Sequence, residues 1–247
     1  MGLFRTLLLV ILGFASLGAH AQAGGDVQAQ ILFAFHAEDS NQLASLVQTL
    51  STQEQGGGDP ALRYHLAHAW YRLGLLDGDQ RGHNAARAFS GCIDELKPLL
   101  EQEPNSVESL ALQAACYANL ARFERLEAVL LRSRASDRLA RAVGLAPRNP
   151  RVLLLDARDA LARSKAGSAE NARALSELGL AAQVFEQTSA TRIDAPGWGH
   201  AEAYLELGRQ LQSRGDVLGA RNWLEKSLII APDYRAAQRQ LATLMVH

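Results

Sequence analysis

Proline placement constrains this chain more than any other sequence feature. Pro60, Pro104, Pro147, Pro196 and Pro232 recur at spacings of 44, 43, 49 and 36 residues. Three of them directly close a helical pattern, in LLEQEP, VGLAP and LIIAP. A proline just past a helix end stops it, because its ring disfavours helical geometry in the residue before it and it supplies no N–H. Between prolines the apolar residues fall at three- and four-residue intervals, the period of an amphipathic helix, and no segment alternates as a strand does. Composition agrees: Ala, Leu and Arg dominate, aromatics are 6%, and 22 arginines accompany three lysines. The commonest residues are strong helix formers, whereas the residues that favour strands are scarce. The expectation is an all-α chain of helix pairs with regular punctuation, which implies a repeat array.

The front of the chain reads differently. Arg5 precedes the apolar run TLLLVILGFASLG (residues 6–18), and Ala19-His20-Ala21 offers a small-x-small cleavage site. This is the layout of a secretory signal peptide. Thirteen residues fall short of the ~18 that a membrane anchor wants. No cysteine follows to carry a lipid. Residues 1–21 are therefore expected to be removed, leaving no stable membrane span and a mature chain exported to a bacterial periplasm or secreted. Residues 22–58 read as a helix pair, broken near Ala37–Ser40, and a linker, Gly56-Gly57-Gly58. Residues 59–247 read as the array, with Asp59 capping the first helix and Asp233–Val246 shielding the last hydrophobic face.

The clearest unit is the last, AEAYLELGRQLQSRGDVLGARNWLEKSLIIAPDY from Ala201. It resembles the tetratricopeptide repeat, whose pattern is W-x2-L-G-x2-Y…A-x3-F…P. Tyr204, Leu207 and Gly208 match the first helix, Gly215 the turn, Ala220 and Leu224 the second helix, and Pro232 the end. Less regular units start near Ala61, Val107 and Pro150. Starts at 61, 107, 150 and 201 are 46, 43 and 51 apart, against the 34 residues of the last unit. The excess lengthens helices or loops, with Leu75–His83, Glu124–Arg134, Ser164–Ser168 and Thr188–His200 as the candidate segments. The resemblance implies a right-handed α-α superhelix, a solenoid of antiparallel helix pairs. It also implies a non-enzymatic role in which a concave groove binds a protein or peptide partner, as an assembly or accessory factor of an envelope complex. The family register places Tyr64, His65, Arg72, Glu108, Arg151, Leu154, Arg158, Glu202, Leu205 and Arg209 along that groove. The carboxylate-clamp activity known for some members does not carry over, since the inner positions of the first unit hold His65 and Ala69.

Charge and motifs narrow the chemistry. The formal charge of −1 conceals an acidic stretch, Gln22–Leu110, with 12 acids and 5 bases, followed by Ala111–Arg163, with 10 arginines and 5 acids. Arginine forks bind carboxylates through two parallel bonds, so Arg151, Arg158 and Arg209 point to an acidic segment as partner. The small net charge and the lack of an aromatic stacking series argue against nucleic acid. No catalytic or phosphate-loop motif occurs, and no cofactor is implied. His65 and His68 share a helix face, three residues apart, but lack a third ligand. The expected roles are groove lining for His65 and packing against the second helix for His68, with no metal site. His200 reads as a loop residue. Cys92 and Cys116 lie on neighbouring helices and either form a disulfide or pack as small buried hydrophobes. A second functional reading is a transport accessory protein, with a small-molecule pocket or pore between repeats.

Overall fold

A computed structural model describes residues 26–56, 58–78, 83–188 and 197–244. The signal-peptide expectation, Gly57, Pro196 and the last three residues lie outside the described residues. Among the described residues eleven helices follow one another: α1 (26–36), α2 (Ser40–Glu54), α3 (Pro60–Gly78), α4 (His83–Gln102), α5 (Val107–Leu120), α6 (Ala128–Leu145), α7 (Pro150–Arg163), α8 (Ala169–Thr188), α9 (His200–Ser213), α10 (Val217–Ile230) and α11 (Arg235–Leu244). No strand occurs among the described residues.

Local chemistry sets the boundaries. Asp39 caps α2 by accepting from Gln42 N–H at 2.9 Å, and Asp216 caps α10 by accepting from Gly219 N–H at 2.9 Å. Asn149 caps α7 ahead of Pro150, accepting from Arg151 and Val152 N–H. Asp59 accepts from Ala61 N–H at 2.9 Å as α3 begins. Each side chain satisfies N–H groups that the first turn cannot bond internally. Helices α4, α6 and α10 end two residues before Pro104, Pro147 and Pro232. Pro98, by contrast, lies inside α4 without ending it.

Helices α3 to α10 form four pairs, α3–α4, α5–α6, α7–α8 and α9–α10, each packed within itself and stacked on the next. The last pair has 14 residues in each helix, whereas α4, α6 and α8 have 20, 18 and 20. Much of the excess over a 34-residue period is thus extra length in the second helices. The predicted insertion at Glu124–Arg134 is mostly the first turns of α6.

Repeat-position residues form the pair contacts. Tyr204, Leu207, Ala220 and Leu224 are buried, and the first two share one cluster with Leu154, Phe185 and Ala203. Gly208 is where α9 meets α10: a Cβ there would lie 2.6 Å from Leu224 Cγ. Gly215 turns the chain at φ +80°, a conformation costly for other residues. Cys92 of α4 and Cys116 of α5 form a disulfide, with Cα atoms 6.4 Å apart, that joins the first pair to the second.

The core does not simply run along the stack. One cluster extends from α3 through α5 to α7 and includes Trp198, from the segment before α9. A second unites α1, α2 and α3 with α9, α10 and α11, through Ile31, Phe35, Leu66, Leu205, Tyr234 and Ala237. The two ends of the array therefore share a core, and the inner face is closed.

Candidate functional site

First helices of the pairs line the inner face, and the polar groups they bring there meet one another. Arg72 of α3 is 1% exposed. It donates from Nε to His68 Nε2 at 2.8 Å and pairs through Nη2 with Glu202 of α9, 130 residues away. Glu202 also accepts the Gly199 N–H at 2.9 Å. The N-terminal helix completes this contact. The Arg72 guanidinium lies 4.3 Å above the Phe35 ring, and His36 Nε2 stands 4.0 Å from Glu202 Oε1. The His36 and Tyr234 rings are 4.3 Å apart, and Arg239 of α11 forks onto Glu38 just past α1, at 2.6 and 2.5 Å. Helix α1 thus occupies the groove between α3, α9 and α11.

Trp198 fills the remaining width. It is buried, stacks on His68 at 5.4 Å, and donates from Nε1 to the Tyr64 hydroxyl at 3.1 Å. Arg151 of α7, with its guanidinium 6.0 Å from the Trp198 ring, grips Glu108 of α5 with two bonds of 2.7 Å. Asn149 adds a third bond to Glu108 at 2.7 Å. Such two-pronged pairs hold geometry as well as charge.

Electrostatics follow from burial. Burial alone would raise the Glu202 carboxyl, but Arg72, then His36, and the backbone N–H groups bring it below its ordinary range. Burial lowers His68 well below the usual histidine value, and Arg72 adds to this, so His68 is the neutral acceptor that the Arg72 bond requires. His36, His65 and His200 are also lowered, chiefly by burial. The Tyr64 hydroxyl is pushed up by burial and by Glu108.

These positions correct the open-groove expectation. Arg72, Arg151, Leu154, Glu202 and Leu205 are buried, and the three charged ones are consumed by internal pairs. The physical reason is that the array closes tightly enough for its first and last first-helices to touch, with α1 and Trp198 between them. Tyr64, His65, Glu108 and Arg158 are partly exposed, and Arg209 is exposed with Nη1 4.0 Å from Glu206. Arg158 lies in the field of Tyr71, Glu206, Tyr234 and Glu202. His68 stacks on Trp198, where packing on the second helix was expected. His200 is the first residue of α9, stacked on Phe185 at 5.3 Å, and not a loop residue. Sequence reading missed Phe35, His36, Trp198 and Asn149. Only Trp198 carried a signal, as a large aromatic in a segment otherwise read as a turn.

Among the described residues no group of three or more His, Cys, Asp or Glu is placed to hold a metal ion, and no helix is long and apolar enough to cross a membrane. Clefts open to solvent among the described residues. One, of about 300 Å³, includes Tyr64 and Glu108; another, of about 560 Å³, lies between α4, α5 and α6.

No protein-family profile matches the chain, and no curated protein sequence does. The fold is nonetheless similar to that of a solved structure, a thermophilic TPR protein of Thermus thermophilus, with a TM-score of 0.62 at 18% identity. That alignment covers 92% of this chain and 100% of the other. The fold is therefore a tetratricopeptide-like α-α solenoid.

Proposed function

We propose that the mature chain, from about Gln22, is a non-enzymatic scaffold of the bacterial envelope that binds a protein or peptide partner on its outward faces. The observation that carries this reading is the fate of the inner-face charges. Arg72 pairs with Glu202 across the array, and Arg151 with Glu108 between neighbouring helix pairs. They act as the fastening of a closed, rigid frame, and recognition falls to the surfaces that frame displays. The Cys92–Cys116 bond supports an exported location, because disulfides persist in oxidising compartments and are rare in the cytosol.

Two measurements test this proposal. Mass spectrometry of the protein from fractionated cells should find an N-terminus near Gln22 in the envelope fraction; an intact Met1 in the cytosol contradicts export. In-cell crosslinking should then identify a partner that forms a stoichiometric complex when both purified proteins are mixed. If identified candidates form no binary complex with the purified chain, the scaffold reading fails.

A further inference from the structure

The cleft between α4, α5 and α6 lies away from the closed inner face. Gln113 and Tyr117 form its floor, and they stand about 140° and 180° around α5 from Glu108, the α5 residue held on the inner side. Its volume, about 560 Å³, falls in the range of binding sites. Gln113 is 1% exposed, and while its amide N–H donates to the Ile93 carbonyl at 3.4 Å, its Oε1 has no partner among the described residues. A buried amide oxygen left without a protein partner at the floor of a cleft is open to a donor from a water or a ligand.

The walls carry charge of mostly one sign. Arg134, Arg138 and Arg141 come from α6 and Lys97 from α4, against Glu101 and Asp137. Arg134 lies 5.9 Å from the Tyr117 ring, and Arg141 donates to the neutral Asn105 amide at 2.7 Å. Arg138 has no ion pair among the described residues, and Lys97 is held by Asp94 at 2.8 Å. None of the three arginines has a carboxylate within bonding distance in the described structure.

On the premise that the protein is a partner-binding scaffold, we propose that this cleft takes an extended acidic peptide segment with carboxylates at alternate positions. Spacing supplies the alternation. Arg134 and Arg138 are one helical turn apart, a rise of about 6 Å, and Arg141 continues the same face. Alternate side chains of an extended peptide lie about 6.6 Å apart on one side, so two acidic residues at alternate positions meet Arg134 and Arg138, with Arg141 about 4.5 Å further along the helix. The intervening residues face the other wall, where Glu101 stands. A contiguous acidic run sets half its carboxylates against that wall, where Glu101 repels them and Lys97 is already paired with Asp94. The Gln113 amide bonds the peptide backbone, and Tyr117 and Leu100 supply an apolar floor.

Fluorescence anisotropy with the intact mature protein tests this. The probes are labelled Ser-Glu-Ser-Glu-Ser-Glu, its Gln counterpart, and the block isomer Ser-Ser-Ser-Glu-Glu-Glu. Expected results are binding of the alternating peptide that weakens with salt, at least tenfold weaker binding of the other two, and a tenfold loss in Arg138→Glu. Arg125→Glu, on the exposed turn before α6, changes binding by less than twofold. Circular dichroism confirms that both variants keep their helices. Absence of binding, equal binding of the block isomer, or equal loss in Arg125→Glu overturns the proposal. If a reconstituted partner binds Arg138→Glu as well as the unaltered protein, the cleft is rejected while the scaffold reading stands.

Discussion

At the scale of single residues, the closed array depends on a few buried charges. Arg72 and Glu202 are both nearly inaccessible, so removing one leaves the other desolvated and unpaired. We predict that Arg72→Met costs about 3–5 kcal/mol of unfolding free energy and that adding Glu202→Gln recovers much of it. Chemical denaturation of the single and double variants measures both values, and additive losses would mean that the pair is not coupled. The histidines give a second prediction. His36, His65, His68 and His200 all have folded values below the ordinary 6.5. The unfolded chain therefore binds more protons than the folded one as pH drops through that value, and stability falls with it. Glu202, held below its ordinary range, withdraws its contribution only at lower pH, once its carboxyl protonates in the folded state. Thermal melts should show Tm decreasing between pH 7.5 and pH 5.5, less steeply in His68→Gln; a flat profile would contradict the burial of neutral histidines.

Among the elements, the disulfide between α4 and α5 closes a loop across 24 positions. Constraining a loop of that size in the unfolded chain is worth about 3 kcal/mol in the chain-entropy account. Reduced protein, or Cys92→Ser with Cys116→Ser, should unfold with a midpoint lowered accordingly, and an unchanged midpoint would remove the bond from the energetics. Helix existence was legible in the sequence because it rests on local signals. The Leu–Ala periodicity, the cap at Asp59, and the prolines after α4, α6 and α10 each act within a few residues. The lengths of α4, α6 and α8 were less legible: the 34-residue expectation left the surplus open between helices and loops, and continuous amphipathic patterns carried much of it into longer helices. Pro98 sits within one of these and ends nothing.

For the whole molecule, the candidate site was legible only for its charged residues on the repeat helices, and not in its meaning. The repeat register assigned Arg72, Glu108, Arg151 and Glu202 to the inner side from helical phase alone, and the structure pairs Arg72 with Glu202 and Arg151 with Glu108. Whether the face stays open depends on curvature, set by contacts such as Arg72 with Glu202 across 130 residues and α1 with α11. No local pattern encodes those contacts. Phe35 and His36 look like ordinary core positions of a short helix, and nothing near them in sequence indicates that they cover an arginine of α3 or meet a glutamate of α9. The most direct test is native-state hydrogen exchange on the mature protein. If α1 fills the inner face, amides 31–36 should exchange as slowly as those of α3 and lose protection together with the α9 amides in Arg72→Met. Exchange of 31–36 at the rate of an unstructured peptide, while α5 remains protected, would contradict the closed array.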